Sequence, residues 1–233
     1  GSYFRAAAAS LPCRSIGGDF YDYVDLSDGS FGFALGDVAG KGPPAALLSA
    51  MMQGMFAAQA AGSDSPSRTI RKVNLALYRR GIESRFVTLM YGSLFPNGQL
   101  LYCNAGHNPP LVVGKHGFRR LECGGPIVGL FENANYEEET VTLARGDWLI
   151  VFSDGVSEAL SASGEEYGEG RILDRDGHQV VDLREVASVR EAFCGVHRRS
   201  PLSAFVLGQC LPKGGLLAPH EVGVEVRRRG AVP

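Results

Sequence analysis

The chain has 233 residues, of which 45% are hydrophobic and 21% are charged, a composition typical of a soluble globular domain. Its 23 lysine and arginine residues nearly balance its 25 aspartate and glutamate residues, so the formal net charge is −2. Because no excess of positive charge would attract nucleic acid or an acidic membrane surface, the composition argues against both as partners.

The five cysteines are widely spaced and contain no Cys-x-x-Cys pair. This spacing argues against a zinc site or a redox centre, and we expect reduced thiols and a cytoplasmic location. The most membrane-like stretch, residues 45–62, carries no charge but is interrupted by Ser49 and Gln53. It is therefore predicted to be a buried helix and not a membrane span.

The first third of the chain begins with strand patterns. Strands are predicted at residues 4–9, 20–26 and 31–38. The turn-forming residues 27–30 suggest that the second and third of these strands form a hairpin.

Two adjacent helices are predicted next. Residues 43–61 begin with two prolines and continue with strong helix formers, and residues 67–80 place apolar side chains at helical spacing. Short segments rich in β-forming residues follow, at 86–95, 100–104, 111–113, 118–121, 138–143 and 148–152. This order indicates an α+β domain in which helices cover antiparallel sheets.

Aspartate occurs close to glycine in residues 17–22, 36–42 and 152–159. Asp-Gly alone is typical of turns, and Asp28-Gly29 is predicted to be one. Asp37 and Asp154 differ because each ends an apolar strand, where a charge needs a partner or a cation. Several carboxylates meeting at strand ends would bind hard divalent cations through oxygen.

A nucleotide-binding loop is the alternative for residues 36–42, since glycines and Lys41 precede a helix. Only three residues separate Gly36 from the Gly40-Lys41 pair, and no Ser or Thr follows the lysine. The spacing of a phosphate-binding loop is therefore not met.

Four motifs, in this order, resemble the SpoIIE-type phosphatases of the metal-dependent protein phosphatase (PPM) superfamily. They are residues 17–22, residues 36–42 with the Pro-Pro-Ala-Ala that follows, the Asn-Ala-Gly-His-Asn-Pro-Pro of 104–110, and residues 152–159. The resemblance spans about residues 4–170. It implies a four-layer αββα sandwich, with antiparallel sheets flanked by helices and two Mn²⁺ or Mg²⁺ ions at one end.

The resemblance also implies roles for individual residues. Asp37 would bridge both metal ions, the Val38 carbonyl would be a backbone ligand, and Asp154 would be a further acidic ligand. The first motif, residues 17–22, would supply either Asp19 or Asp22 as an acidic ligand, and Asp19 is slightly preferred. Asp37 and Asp154 are the expected catalytic positions, where two cations neutralise the phosphoryl oxygens and activate a water that attacks phosphorus.

Two further features have two interpretations each. His107 could be a general acid for the departing seryl oxygen, but a structural hydrogen bond is favoured for it. The first helix carries an apolar set that is predicted to be core, while the resemblance implies that this helix couples regulatory input to metal binding. The set consists of Leu47, Leu48, Met51, Met52, Met55 and Phe56.

The sequence departs from the family pattern after about Arg171. Family members end with paired aspartates before a hydrophobic strand, but this chain contains no Asp-Asp pair. We divide the chain into a phosphatase core, 1–171, and a divergent segment, 172–233, that is packed on or continues the same domain. The segment has weak amphipathic order, with one helix predicted at 183–193.

The missing motif predicts weaker metal binding, with one of two ions labile. Asp174, Asp176 or Asp182 could replace the absent ligand, although turn and helix-start roles explain these residues better. The divergent ending has three open explanations, namely a family variant, a degenerate pseudophosphatase or a change of reading frame.

Two functions follow from these observations. The first is a metal-dependent phosphatase that acts on phosphoserine or phosphothreonine of a regulatory protein, such as an anti-sigma-factor antagonist. A sensor domain upstream of Gly1 would be compatible with it. The second is a catalytically impaired pseudophosphatase that serves as a binding or signalling module.

Overall fold

The computed structural model describes residues 3–11, 16–60, 62, 65–81, 86–159, 164–172 and 202–209. The strands in these ranges are β1 (Phe4–Leu11), β2 (Phe20–Asp25), β3 (Phe31–Val38), β4 (Val87–Leu94), β5 (Gln99–Ala105), β6 (Leu111–Gly114), β7 (Gly117–Arg120), β8 (Gly124–Gly125), β9 (Glu139–Thr142), β10 (Trp148–Phe152) and β11 (Leu202–Gln209). The helices are α1 (Pro43–Ala60), α2 (Pro66–Tyr78) and the short α3 (Asp154–Ser157), and a 3-10 turn spans Glu169–Arg171. Asp174, Asp176, Asp182 and the helix predicted at 183–193 lie outside the described residues.

The strands form two sheets. Sheet A has the order β1-β11-β10-β6-β7, and sheet B has the order β2-β3-β4-β5-β8, with β9 also paired to β5. Among the described strands, the pairings are antiparallel except that of β5 with β8. The predicted α+β fold with antiparallel sheets and helices is confirmed.

The hairpin predicted from residues 27–30 is present. β2 and β3 pair in register from Phe20 opposite Gly36 to Asp25 opposite Phe31. In the connecting turn, Asp28 Oδ1 accepts hydrogen bonds from the Ser30 backbone N–H at 2.9 Å and the Ser30 hydroxyl at 2.6 Å. Asp28 is thus a turn residue, as its Asp-Gly sequence predicted.

The two longer helices cover the outer face of sheet B. Their buried side chains pack with residues of β3, β4 and β5 into one cluster, the helix-side core, which includes Leu48, Met52 and Phe56 from α1 and Ile70 and Val73 from α2. α2 begins at a capping serine, Ser65, whose hydroxyl accepts a hydrogen bond from the Arg68 N–H at 3.2 Å.

The prediction that the apolar set of α1 is core holds for only part of the set. Leu48, Met52 and Phe56 are buried, whereas Leu47 is 73% exposed, so the prediction is wrong for Leu47. A helix lying on a sheet buries a single stripe of side chains, and Leu47 falls outside that stripe. The coupling of this helix to metal binding stays a prediction. No helix in the part of the chain that the structure describes has both the length and the apolar character needed to cross a bilayer.

The space between the two sheets is filled by a second cluster, the inter-sheet core. Phe33 and Leu35 of β3 meet Met90 of β4 and Leu149 and Val151 of β10 there. A third cluster on the outer face of sheet A joins β6 and β10 to α3 and Ile172. In the described residues, α3 and the segment around Ile172 are the parts of the chain that cover the outer face of sheet A.

Strand β11 was not predicted from the sequence. It lies between β1 and β10 and is antiparallel to both. Residues 204–207 are an uninterrupted apolar run, which lacks the two-residue alternation that reveals half-buried strands. This part of the divergent segment is therefore a strand of sheet A.

Candidate functional site

Asp37 lies near the end of β3, on the face of sheet B that points toward sheet A. Phe33 and Leu35, on the same strand, belong to the inter-sheet core, and alternate residues of a strand share a face. Asp37 is half-buried and pairs across the sheet with Thr88 of β4. The carboxylate therefore stands at the edge of the hydrophobic interior.

Asp19 and Asp154 lie close to Asp37. Asp19 immediately precedes β2, is 9% exposed, and lies close enough to Asp37 for its charge to raise the pKa of the Asp37 carboxyl group. Asp154 is the first residue of α3, just after β10 of the other sheet, and its charge acts on Asp37. Three carboxyl groups from two sheets thus lie near one another at one end of the sandwich.

This arrangement changes the acidity of Asp37. Burial raises the pKa of Asp37 from 3.8 to about 8, and the neighbouring charges of Asp19 and Asp154 act in the same direction. A hydrogen bond from the Val38 backbone N–H opposes the rise in this pKa. Without a cation, the pair formed by Asp19 and Asp37 therefore favours a retained proton.

Gly18 leaves space beside Asp37. A Cβ atom built on Gly18 would lie 2.7 Å from the Val38 carbonyl oxygen and 3.1 Å from Asp37 Oδ1. Both oxygens therefore face the same point in space, and only glycine keeps that point open. These are two of the atoms that the family resemblance implied as ligands.

Asp22 does not join this group. Its Oδ1 accepts a hydrogen bond from the Tyr23 backbone N–H at 2.8 Å, and Asp22 is not among the groups that shift the pKa of Asp37. Because side chains alternate along β2, Asp22 lies on the face of Phe20 and Val24, which pack in the helix-side core. The structure brings Asp19, and not Asp22, to Asp37.

The donor atoms at this end of the sandwich are suited to a hard divalent cation. Asp19, Asp37, Asp154 and the Val38 carbonyl offer only oxygen, which Mg²⁺ and Mn²⁺ accept. Within the described ranges, Asp19, Asp37 and Asp154 are not close enough together to hold a metal ion by their side chains alone, and no other three or more His, Cys, Asp or Glu side chains are so arranged. A cation here would thus rely on backbone oxygen and water as well as on the carboxylates.

His107 is buried near the same end, and its exposed fraction is 5%. Its Nδ1 is hydrogen-bonded to the Thr88 hydroxyl at 2.9 Å. Burial lowers the pKa of His107 to about 4, although an interaction with the Phe152 backbone opposes this effect. A neutral, buried imidazole supports the structural interpretation over that of a general acid.

Gly18 belongs to the 17–22 motif, in which glycine was expected to let the backbone come close to a carboxylate. Sequence reasoning missed Thr88. Thr88 carries no sequence signal, because its relation to Asp37 and His107 depends on strand register.

Comparisons with known proteins extend these observations. Residues 27–192 match the family described as Stage II sporulation protein E (SpoIIE). Phosphoserine phosphatase RsbU of Bacillus subtilis is 30% identical over 160 residues, which cover 67% of this chain and 48% of RsbU. Protein IcfG of Synechocystis sp. is 30% identical over 193 residues, covering 70% of this chain and 30% of IcfG. The chain thus spans less than half the length of these two relatives.

The fold has a similar solved structure. The RsbU and RsbW domains of Rv1364c from Mycobacterium tuberculosis superimpose with a TM-score of 0.76 at 21% identity, covering 91% of this chain and 63% of that one. The similarity supports the two-sheet architecture described above. Since the family pattern covers more than half of the chain, this protein belongs to the SpoIIE family.

Proposed function

We propose that this chain is a catalytic domain that hydrolyses phosphoserine or phosphothreonine in a protein and depends on divalent cations. The proposal depends on one observation, the meeting of Asp19, Asp37 and Asp154 at one end of the two sheets. Carboxylates crowded in this way repel one another unless a proton or a cation intervenes. A cation site is the function that best accounts for their retention together.

The residues that would hold Mn²⁺ or Mg²⁺ are Asp19, Asp37, Asp154 and the carbonyl oxygen of Val38. When bound, such cations offset the charge of phosphoryl oxygens and lower the pKa of a coordinated water. Two ions are proposed, and one of them is expected to be labile because the chain contains no Asp-Asp pair.

The chain's own residues contribute position and charge. Asp37 is fixed by the pairing of β3 with β4, and Asp154 is fixed by its place directly after β10. Gly18 keeps the space in front of Asp37 open. No side-chain nucleophile is needed, and the nearby Ser153 and His107 are both buried.

The substrate class is inferred from the relatives. RsbU is a phosphoserine phosphatase by name, which supports a phosphorylated regulatory protein, such as an anti-sigma-factor antagonist, as the partner of this chain. We propose the cytoplasm as the place of this reaction. The pseudophosphatase alternative is less favoured, because Asp19, Asp37 and Asp154 are all retained and lie together.

Phosphopeptides test the substrate class. Three peptides of one sequence, carrying phosphoserine, phosphothreonine or phosphotyrosine, are incubated with the protein and Mn²⁺, and released phosphate is measured. We expect turnover of the first two and a loss of about 100-fold or more in Asp154→Asn, as expected when a group that stabilises transition-state charge is removed. Asp25→Asn, at an exposed residue, is the matched control.

Two results would contradict the proposal. Turnover that is equal with EDTA and with Mn²⁺ would rule out a cation-dependent reaction. A protein that binds Mn²⁺ but releases no phosphate from any peptide or phosphoprotein would support the pseudophosphatase function instead.

A further inference from the structure

The Asn-Ala-Gly-His sequence at the end of β5 is the one sequence motif that the carboxylate site does not use directly. Its histidine, His107, is buried and hydrogen-bonded through Nδ1 to the Thr88 hydroxyl at 2.9 Å. Thr88 is the cross-strand partner of Asp37. One hydrogen bond and one strand pairing therefore connect the imidazole to the central carboxylate.

The rest of the motif holds His107 in place. Asn104 Oδ1 accepts a hydrogen bond from the His107 backbone N–H at 2.8 Å, and Asn104 Nδ2 donates one to the His107 carbonyl at 2.9 Å. Gly106, between them, has a φ of 69°, a left-handed conformation that favours glycine. Ile127 packs directly against Gly106, where it would meet a Cβ atom. The turn therefore fixes the direction of the imidazole.

The imidazole also reaches sheet A. It interacts with the backbone of Phe152, the last residue of β10, and the chain continues from there through Ser153 to Asp154. The ring thus lies between the strand pair that carries Asp37 and the strand that leads into Asp154. His107 thus contacts both the sheet that carries Asp37 and the sheet that leads to Asp154.

An apolar side chain would fill this position at lower cost. His107 Nε2 is buried and lacks a hydrogen bond of good geometry within the described residues, so the contact of the ring with the Phe152 backbone is a weak one. Burying a weakly bonded polar atom is unfavourable for folding. Packing alone therefore does not account for a histidine here. Residues that do not bind a metal themselves but orient its ligands are often retained despite an unfavourable effect on folding.

We propose that His107 is a positioning residue that fixes the separation between Asp37 on sheet B and Asp154 on sheet A. The proposal rests on the proposed function in that these carboxylates are taken to hold the cation. His107 touches neither substrate nor cation in this account. It acts by joining Thr88 to the end of β10.

The test measures two quantities for each variant and compares them with the wild type. They are the Mn²⁺ dissociation constant, by titration calorimetry, and the thermal unfolding midpoint in EDTA. The variants are His107→Leu, His107→Gln and Thr88→Val, and the control is Tyr102→Phe. Tyr102 is also buried between the sheets, and its hydroxyl is hydrogen-bonded to Glu139 at 2.6 Å. The control thus removes a comparable polar contact that is not connected to Asp37.

We expect His107→Leu and Thr88→Val to weaken Mn²⁺ binding by about 10-fold or more, as for other residues that orient metal ligands. His107→Gln should recover part of this loss, since an amide can still bond to Thr88. Tyr102→Phe should lower the unfolding midpoint and leave the Mn²⁺ dissociation constant unchanged.

Unchanged Mn²⁺ affinity in both His107→Leu and Thr88→Val would overturn the inference. If His107→Leu does not fold, Thr88→Val and His107→Gln decide the question. Wild-type protein that binds Mn²⁺ but hydrolyses no phosphopeptide would contradict the proposed function alone, because the affinity comparison still applies. Wild-type protein that binds no Mn²⁺ would overturn both.

Discussion

The carboxyl group of Asp37 lies beside that of Asp19, and the charge of Asp154 also acts on it. In the absence of a cation, burial and neighbouring charge both disfavour the ionised form of Asp37. The same crowding becomes favourable when a divalent cation is bound. This end of the sandwich is therefore expected to reduce the stability of the metal-free protein.

The first prediction is that Asp37→Asn stabilises the metal-free protein. The folded-state pKa of Asp37 is raised from 3.8 to about 8. Between these pH values the unfolded state releases a proton that the folded state retains, so the wild type loses stability as the pH rises. At pH 8 in EDTA we expect a gain of about 1–2 kcal/mol, or roughly 2–8 °C in Tm for a chain of this size. Thermal unfolding of Asp37→Asn and the wild type in EDTA measures this difference in Tm.

A matched variant and an added metal complete that test. Asp25→Asn, on an exposed part of β2, should not change Tm. Mn²⁺ should raise the Tm of the wild type but not that of Asp37→Asn. A metal-free Asp37→Asn protein that is less stable than the wild type would show that Asp37 has a structural partner and is not strained.

The second prediction separates the two acidic residues of the first motif. Asp19 is in contact with Asp37, whereas Asp22 lies on the opposite face of β2. Asp19→Asn should weaken Mn²⁺ binding by at least about 10-fold, since even residues outside the ligand set can cost that much. Asp22→Asn should leave the Mn²⁺ dissociation constant unchanged, and calorimetric titration of both variants gives the comparison. A larger loss of Mn²⁺ affinity in Asp22→Asn than in Asp19→Asn would instead assign Asp22 as the metal ligand.

The third prediction concerns the space beside Gly18. A methyl group in Gly18→Ala would lie 2.7 Å from the Val38 carbonyl oxygen, which is too close without movement of the backbone. Mn²⁺ affinity should fall by about 10-fold or more, as when a ligand is displaced from its orientation. Calorimetry with Mn²⁺ measures this change.

Gly54→Ala is the matched glycine variant. No atom lies within 4 Å of a Cβ at Gly54, which is in the interior of α1. It should stabilise the protein by about 0.5–1 kcal/mol without altering Mn²⁺ affinity. Normal Mn²⁺ binding by Gly18→Ala would show that the Val38 carbonyl and Asp37 Oδ1 do not share a ligand position.

The fourth prediction uses the buried imidazole. The folded-state pKa of His107 is lowered from 6.5 to about 4, so its contribution to stability is present above pH 6.5 and is lost as the pH falls toward 4. The cause is that the unfolded state takes up a proton that the buried ring does not. Between pH 7 and pH 4.5, the wild type should lose on the order of 2 kcal/mol more unfolding free energy than His107→Gln.

Denaturant unfolding in EDTA at the two pH values gives this difference. His116→Gln changes an exposed histidine on the turn between β6 and β7 and should behave like the wild type. An identical pH dependence in His107→Gln and the wild type would mean that the imidazole is solvated and can be protonated in the folded protein.

Much of the fold is predictable from local sequence. The turn-forming residues 27–30 between two strand-like segments predicted the β2–β3 hairpin, and the apolar spacing of α2 predicted that helix. Strand β11 was missed because its apolar run at residues 204–207 lacks the alternation of polar and apolar residues that identifies a half-buried strand. Leu47 was assigned to the core because composition does not tell which stripe of a helix faces the sheet.

The residues of the candidate site could be singled out from the sequence, but the contacts between them could not. Asp37 and Asp154 were singled out as acids that end apolar strands, and the structure brings them together with Asp19. The link from Asp37 through Thr88 to His107 depends on the register between β3 and β4 and on the turn after β5. Such contacts join residues that are far apart in sequence, so no local pattern reveals them.

The most direct test of the account is hydrolysis of p-nitrophenyl phosphate by the chain and by Asp37→Asn, each with Mn²⁺ and with EDTA. This small substrate reports on the cation site without requiring the correct protein partner. We expect Mn²⁺-dependent turnover by the unaltered chain that is abolished by Asp37→Asn. No turnover in either protein, or turnover that survives the substitution, would contradict a cation-dependent phosphatase site built on Asp37.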